Sequence, residues 1–211
     1  VVGIGFTLGS ESFGNGVINS IVANNTTYTF GLDPFADNAG SPFEAEINWM
    51  QAKGISTGTA NADGTFSFLP TTTLSRQAMA AFLYRASGSP KFVAPVLSPF
   101  NDVKTSDAFY LEIAWLADSG ITAGYGDGGF HPSAPVTRQA LAAYLYRVAG
   151  SPAPAAPAPF TDVKADNEFA DAIAWASETG ITTGWEDNTF RPSQSITRQA
   201  VAAFLFRAFD V

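Results

Sequence analysis

Apolar residues recur at helical spacing in the middle of the chain. Residues 107–119 are predicted to form a helix with an apolar side made of Phe109, Ile113, Leu116 and Ala117. A second helix is predicted to begin after Thr137, whose hydroxyl can accept a backbone N–H at the N-cap, and to end near residue 148. The pattern therefore predicts a helix, a loop and a second helix.

The same pattern occurs three times along the chain. Each copy opens with Pro-Phe-x-Asp, at residues 34–37, 99–102 and 159–162. The second helix of each copy opens with a hydroxyl residue, Arg and Gln, and the three arginines lie 62 and 60 residues apart. Small units repeated at a fixed period cannot bury a core alone, so three packed units are predicted. We call residues 34–90, 91–150 and 151–211 repeats 1, 2 and 3.

The first predicted helix of every repeat stops at the dipeptide Gly-Ile, found at residues 54–55, 120–121 and 180–181. Glycine there suits a left-handed cap, and the isoleucine can fold back onto the helix. Loops of glycine and polar residues follow. The linkers at 88–99 and 150–159 join the repeats, and the second, rich in Pro and Ala, is expected to be extended and semi-rigid.

Residues 1–33 have a different pattern, rich in Gly, Asn, Thr and Val with short apolar runs. It predicts a short β-rich segment of two or three strands. This segment is either the end of a preceding β domain or a strap laid across the repeats. Because the chain starts at Val1 without an initiator Met or a signal peptide, we expect a processed or excised fragment.

Composition restricts the classes of function. The 211 residues are 46% hydrophobic and 13% aromatic, which is typical of a folded protein. The formal net charge of −8 argues against non-specific nucleic-acid binding, which requires cationic surface. Cysteine is absent, so thiolate metal sites and disulfides are excluded. No apolar run is long enough to predict membrane insertion.

The ordered motifs resemble the S-layer homology domain in three tandem copies over residues 34–211. They are Phe-x-Asp, a helix ending in Gly-Ile-x-x-Gly, an aromatic residue before an Asp-containing loop, Phe-x-Pro, and a helix opening with Thr-Arg. The resemblance implies a mainly α fold: a pseudo-threefold bundle of helix-loop-helix repeats, with one helix of each copy at the centre and ligand grooves between copies.

The resemblance also implies a function. It is that of a non-catalytic anchoring module of an exported surface protein, located in a Gram-positive-type cell wall or S-layer. The implied partner is a secondary cell-wall polysaccharide associated with peptidoglycan, often ending in a pyruvylated amino sugar, and no cofactor is implied. The family often has Thr-Arg-Ala-Glu where this chain has Thr-Arg-Gln-Ala, so the acidic partner of the arginine is missing.

The strongest candidate ligand contacts are Arg76, Arg138 and Arg198. An arginine at the first helical position is mildly unfavourable for the helix dipole, so the helix gives no reason for it. Its planar guanidinium suits a carboxylate such as a pyruvate ketal. The alternative is a structural salt bridge, to the Asp of a Pro-Phe-x-Asp motif (Asp37, Asp102 or Asp162) or to another repeat.

The loops supply the other candidate ligand residues. Tyr125 and Trp185 follow the Gly-Ile-x-x-Gly turn and can either stack on a sugar or cover the local core. Asp127 and Asp187 either accept hydrogen bonds from sugar hydroxyls or stabilise their own turns. Repeat 1 has Thr59 in place of the aromatic residue and four extra residues in its loop. We therefore expect repeats 2 and 3 to dominate binding.

Several recurring residues have simpler expected roles. Arginines near the end of the second helix are expected to complement its dipole, and tryptophans in the first helix to pack between repeats; these residues are Arg85, Arg147, Arg207, Trp49, Trp115 and Trp175. The single histidine, His131, is expected to be a surface substituent.

Two other classes of function are alternatives to wall anchoring. A glycoside hydrolase requires two carboxylates facing each other across a cleft, whereas the acidic residues here are scattered along the repeats. A structural module that assembles a surface layer without glycan affinity would instead expose apolar patches.

Overall fold

The computed structural model describes residues 35–210 and two strands of the preceding segment. The chain divides into two compact units, 1–34 and 35–211. In the first unit, β1 (Ser20–Ala23) pairs antiparallel with β2 (Thr26–Thr29). The rest of the predicted β-rich segment lies outside the described residues.

The prediction of a mainly helical protein is confirmed. Each repeat contributes two helices to the described residues: α1 (Glu44–Ala52) and α2 (Arg76–Ala86) in repeat 1, α3 (Tyr110–Asp118) and α4 (Arg138–Val148) in repeat 2, α5 (Ala170–Glu178) and α6 (Arg198–Phe209) in repeat 3. Repeat 1 also has a two-stranded hairpin, β3 (Thr59–Ala60) with β4 (Phe66–Ser67).

Helix α3 begins three residues later than the sequence pattern predicts. Residues 104–109 form turns instead, in which the Asp107 carboxylate accepts the Lys104 backbone N–H at 2.8 Å. Asp side chains often bind nearby backbone groups in this way, and such bonds compete with the backbone hydrogen bonds of a first helical turn.

The predicted helix ends are present. The Thr137 hydroxyl accepts the Ala140 N–H at 3.3 Å and caps α4, whereas Thr197 makes no side-chain cap bond on α6. At the end of α3, Gly120 has a φ of +69°, and the Ile121 N–H returns to the Leu116 carbonyl at 2.9 Å. Each first helix therefore ends just before its glycine, where the chain turns into the loop that follows.

Contacts between helices run from each repeat to the next. The second helix of one repeat packs on the first helix of another: α2 on α3, α4 on α5, and α6 on α1. The tryptophans lie at these contacts, with ring centroids 5.3–5.7 Å apart in the pairs Trp115 with Tyr84, Trp175 with Tyr146, and Trp49 with Phe206. The prediction that they pack between repeats is confirmed.

Three buried residues link the repeats through their backbones. The Val136 N–H donates to the Leu74 carbonyl at 2.9 Å, Ile196 donates to Val136 at 2.9 Å, and Leu74 donates to Ile196 at 3.1 Å. Each of the three residues is 1% exposed. These bonds form a closed cycle in which repeat 3 returns to repeat 1, so every repeat has two neighbours.

A glycine in each loop admits the phenylalanine of the Pro-Phe-x-Asp motif. At Gly124, with a φ of +74°, a Cβ would lie 2.5 Å from the Phe100 ring and 2.7 Å from the Gly129 carbonyl oxygen. The Phe100 ring in turn packs against Phe130, with centroids 5.3 Å apart. Only glycine fits this approach of ring and loop.

We expect Gly124→Ala to destabilise the protein by about 2–5 kcal/mol, because a left-handed alanine costs about 1–2 kcal/mol and overpacking about 1–3 kcal/mol. Gly120→Ala is the matched control, since Gly120 also has a positive φ but no atom within 4 Å of the added Cβ. Urea denaturation measures both. Equal losses would contradict the role assigned to the Phe100 ring.

Candidate functional site

The three arginines at the starts of the second helices each reach into the next repeat. Their Nε atoms donate to backbone carbonyls: Arg76 to Phe130 at 2.6 Å, Arg138 to Phe190 at 2.6 Å, and Arg198 to Phe68 at 2.5 Å. We name the places where these bonds form the 1–2, 2–3 and 3–1 junctions, after the repeats they join.

An aspartate of the receiving repeat orients the carbonyl that each arginine binds. At the 1–2 junction, the Asp102 carboxylate accepts the N–H groups of Phe130 and His131, both at 2.7 Å. Asp37 and Asp162 bind the equivalent N–H groups in repeats 1 and 3. Where the Asp102 carboxylate binds it, His131 has a φ of +56°, an uncommon value for a residue other than glycine.

The alternative of a direct salt bridge from these aspartates to the arginines is wrong. Among the described residues, the ion pairs within 4.0 Å are His131 with Asp127 and Arg191 with Asp187. The aspartates of the Pro-Phe-x-Asp motifs use their oxygens on backbone N–H groups instead. At longer range, the negative charge of Asp162 partly offsets the lowering of the Arg138 pKa.

None of the junction arginines has a paired carboxylate in the described residues; Arg76 and Arg138 are buried and Arg198 is partly buried. Arg76 is 5% exposed and Arg138 7% exposed. Burial, assisted by the positive charge of Arg191, lowers the pKa of Arg138 to about 10. Burial also lowers the pKa of Arg198. A buried charge without a partner is unfavourable, so these positions favour an approaching anion.

Aromatic rings surround the guanidinium groups. The Arg138 guanidinium carbon lies 4.7 Å from the Phe190 ring centroid and 5.5 Å from that of Phe204. The Arg76 guanidinium lies 4.6 Å from the Phe130 ring centroid. Such contacts partly compensate the lost hydration of a cation but leave its hydrogen-bond donors available.

Each loop aromatic meets the arginine of the preceding repeat. Tyr125 lies 4.7 Å from the Arg76 guanidinium, and Trp185 lies 5.9 Å from that of Arg138. The rings remain 47% and 43% exposed. The two arginine–aromatic pairs are thus formed across the 1–2 and 2–3 junctions, each between neighbouring repeats.

The 3–1 junction has a different composition. Arg198 lies over the rings of Phe68 and Phe82, at 4.8 and 5.3 Å. Repeat 1 supplies Thr59 on the β3–β4 hairpin where the other repeats supply a loop aromatic. The longer loop of repeat 1 forms this hairpin, which pairs Thr59 with Ser67 and Ala60 with Phe66.

A groove opens at the 2–3 junction beside Arg138 and Trp185. Its volume is about 370 Å³. Residues from all three repeats line it, among them Phe43, Arg138, Trp185, Thr197, Phe204 and Arg207. The groove thus combines one buried cation, an exposed indole and an apolar wall.

The loop aspartates stabilise their own turns. Asp127 accepts the Gly129 N–H at 2.9 Å, and Asp187 accepts the Thr189 N–H at 3.1 Å. The pKa of Asp127 is lowered by the Gly129 N–H and by His131, and that of Asp187 by the Thr189 hydroxyl and by Arg191. Their second oxygens bind His131 and Arg191, so these carboxylates are already engaged.

Sequence reasoning missed the contribution of His131 and Arg191. The His131 ring stacks on Tyr125, with centroids 4.5 Å apart and an interplanar angle of 23°. The Arg191 guanidinium lies 4.0 Å from the Trp185 ring centroid. The sequence feature that could have indicated them is an aspartate four residues before a basic residue, present in repeats 2 and 3 and absent from repeat 1.

The arginines near the ends of the second helices bind within their own repeats. Each Nη1 donates to the carbonyl of the isoleucine after the first helix: Arg85 to Ile55 at 3.1 Å, Arg147 to Ile121 at 2.8 Å, and Arg207 to Ile181 at 3.1 Å. They join the two helices of a repeat. Arg207 also lines the groove, so it is not separate from the candidate site as its position suggested.

In the described part of the chain, no group of three or more His, Cys, Asp or Glu residues is arranged to hold a metal ion. The helices there are also all too short or too polar to cross a lipid bilayer.

Comparison with known families now identifies two of the units. The family model of the S-layer homology domain matches residues 99–142 and 159–202. Repeats 2 and 3 contain S-layer homology domains. Repeat 1 lies outside the matched segments, in agreement with its altered loop.

Similar regions occur in much longer proteins. The chain is 32% identical to exoglucanase XynX of Acetivibrio thermocellus over 59% of its length and 11% of that protein. It is 31% identical to the surface-layer 125 kDa protein of Lysinibacillus sphaericus over 61% of its length and 11% of that protein. It is 32% identical to the middle cell wall protein of Brevibacillus brevis over 58% of its length and 13% of that protein.

Proposed function

We propose that this chain is a non-catalytic module that anchors a surface protein to the cell wall by binding a wall polysaccharide at its repeat junctions. The two S-layer homology domains support anchoring, as do the relatives named as surface-layer and cell wall proteins. The matched region is only 11% of exoglucanase XynX, so its named activity is not transferred to this chain.

The proposal includes a pseudo-threefold arrangement with grooves between repeats. Its support is that three kinds of contact recur in the same cyclic order: the helix pairs, the backbone bonds among Leu74, Val136 and Ile196, and the bonds from arginine Nε to a phenylalanine carbonyl. A junction is therefore the smallest complete binding unit, because it takes its arginine and its aromatic loop from different repeats.

One observation carries the proposed ligand chemistry: Arg138 is buried without a carboxylate partner in the described residues, beside an exposed Trp185. A carboxylate on the ligand supplies the missing charge through the remaining guanidinium donors. The indole supplies a flat apolar face for the C–H groups of a sugar ring. An acidic sugar, such as one bearing a pyruvate ketal, has both features.

A second candidate function is the assembly of a surface layer through protein contacts. It is favoured by the linker between repeats 1 and 2, where Val93, Val96 and Leu97 are 90%, 91% and 80% exposed. Large apolar side chains in such a position are typical of a protein-binding surface. The corresponding linker between repeats 2 and 3 carries alanine and proline instead.

Binding to purified cell-wall sacculi tests the proposal. We expect the protein to sediment with untreated sacculi from a Gram-positive-type wall and to stay in solution with sacculi whose attached polysaccharide has been removed by acid. A Val93→Ser, Val96→Ser, Leu97→Ser variant is the control for apolar adhesion and is expected to bind like the parent. Equal binding to both kinds of sacculi, or loss of binding in the control variant, would favour the assembly function.

A further inference from the structure

We propose that His131 and Arg191 are positioning residues that hold Tyr125 and Trp185 for ligand binding. This inference rests on the proposed function of the junctions. It concerns one position, the residue after the phenylalanine whose carbonyl binds the arginine. That position holds Leu69 in repeat 1, His131 in repeat 2 and Arg191 in repeat 3.

The backbone fixes where this residue points. In all three repeats it has a left-handed conformation, with φ of +59° at Leu69, +56° at His131 and +59° at Arg191. A carboxylate from the start of the same repeat binds its N–H at 2.7–2.8 Å. The side chain therefore leaves the loop in one fixed direction, whatever its chemistry.

In repeats 2 and 3 this direction leads onto the loop aromatic. His131 stacks on Tyr125 and binds the Asp127 carboxylate at 2.8 Å. Arg191 lies over Trp185 and binds the Asp187 carboxylate at 3.1 Å. Each ring thus contacts two basic side chains, one from its own loop and one from the preceding repeat, and its rotation about the Cα–Cβ bond is restricted.

The two junctions use different holding groups. The imidazole of His131 stacks on Tyr125, whereas the guanidinium of Arg191 lies over Trp185. Repeat 1 has Leu69 at this position and Thr59 in place of the loop aromatic. In the three repeats, the holding residue and the loop aromatic are therefore present or absent together.

The effect of this positioning on affinity follows. A ring that is already held in one orientation loses less side-chain freedom when a sugar stacks on it. Loss of the holding residue is therefore expected to weaken binding at its junction by about two- to tenfold.

Substitution by the residue of repeat 1 provides the test. Each junction is isolated by removing the arginines of the other two, with Arg138→Ala, Arg198→Ala for the 1–2 junction and Arg76→Ala, Arg198→Ala for the 2–3 junction. Wall-polysaccharide fragments released from sacculi are titrated calorimetrically. We expect His131→Leu to weaken binding at the 1–2 junction and Arg191→Leu to weaken it at the 2–3 junction, each by about two- to tenfold, and His131→Arg to keep most of the affinity. Unchanged affinities in both leucine variants would overturn the proposal.

A ligand-free measurement separates this inference from the proposed function. NMR coupling constants report whether the Tyr125 side chain occupies one χ1 rotamer or averages over several. We expect one rotamer in the parent and in His131→Arg, and averaging in His131→Leu, which copies repeat 1. If polysaccharide fails to bind the parent while Tyr125 still loses its single rotamer in His131→Leu, wall binding is refuted and the positioning role stands. A Tyr125 side chain with the same rotamer in His131→Leu overturns the positioning role.

Discussion

Deleting repeat 3, residues 151–211, is expected to abolish the cooperative unfolding of the remainder or to lower its melting temperature by more than about 10 °C. Both remaining repeats lose a neighbour: α1 loses its contact with α6, and α4 its contact with α5. Leu74 also loses its carbonyl partner, and Arg138 loses the carbonyl of Phe190. A loss of several kcal/mol gives such a shift, at about 2–4 °C per kcal/mol for a chain of this size.

A circular permutant is the matched control for this deletion. New termini placed in the linker at residues 152–157, with a flexible Gly/Ser connection from residue 210 to residue 35, keep all three repeats but change their order along the chain. Because every contact between repeats is retained, we expect the permutant to unfold cooperatively near the temperature of the parent. Differential scanning calorimetry measures both proteins. A truncated protein that melts cooperatively at the parent's temperature would mean that the repeats are independent.

The sequence predicted the local structure of the repeats well, because short-range chemistry determines it. Thr137 as an N-cap and Gly120 as a left-handed cap follow from groups a few residues away, and both have that role in the structure. The start of α3 was less predictable. There the Asp107 side chain and the helix compete for the same backbone groups with similar energies.

The sequence could not predict which residues share a junction. Arg138 lies 13 residues after Tyr125 in the same repeat, yet tertiary packing places Arg138 beside Trp185 of repeat 3 and Tyr125 beside Arg76 of repeat 1. These pairs depend on the packing of α2 on α3, α4 on α5 and α6 on α1. No local propensity encodes the direction of that cycle.

The same packing changes the ranking of the candidate ligand residues. Among the described residues, Arg198 has neither a loop aromatic nor a second basic side chain beside it, because repeat 1 has Thr59 and Leu69 at those positions. Arg76 receives Tyr125, although its own repeat departs most from the family pattern. The two junctions with complete sets of side chains are thus 1–2 and 2–3, and a repeat with an altered loop still contributes a useful arginine.

Arg138→Ala is expected to weaken binding of wall-polysaccharide fragments at the 2–3 junction by about tenfold or more. The variant removes the buried cation beside Trp185. A charge-assisted hydrogen bond contributes about 1.5–3 kcal/mol, and each 1.4 kcal/mol of binding free energy corresponds to about a tenfold change in affinity. Arg138→Lys is expected to recover only part of the affinity, since an ammonium cannot bind a carboxylate with two parallel bonds. By contrast, Arg198→Ala is expected to have a smaller effect, because the 3–1 junction lacks an aromatic loop residue.

Arg147→Ala is the matched control on the same helix. Arg147 also donates to a backbone carbonyl, that of Ile121 at 2.8 Å, but it is not among the residues that line the 2–3 groove. Both variants are expected to lose about 0.5–1.5 kcal/mol of stability with the hydrogen bond, while only Arg138→Ala loses affinity at the 2–3 junction. Calorimetric titration in an Arg76→Ala, Arg198→Ala background isolates that junction. Equal affinity losses in the two variants, or full binding by Arg76→Ala, Arg138→Ala, would remove these arginines from the site.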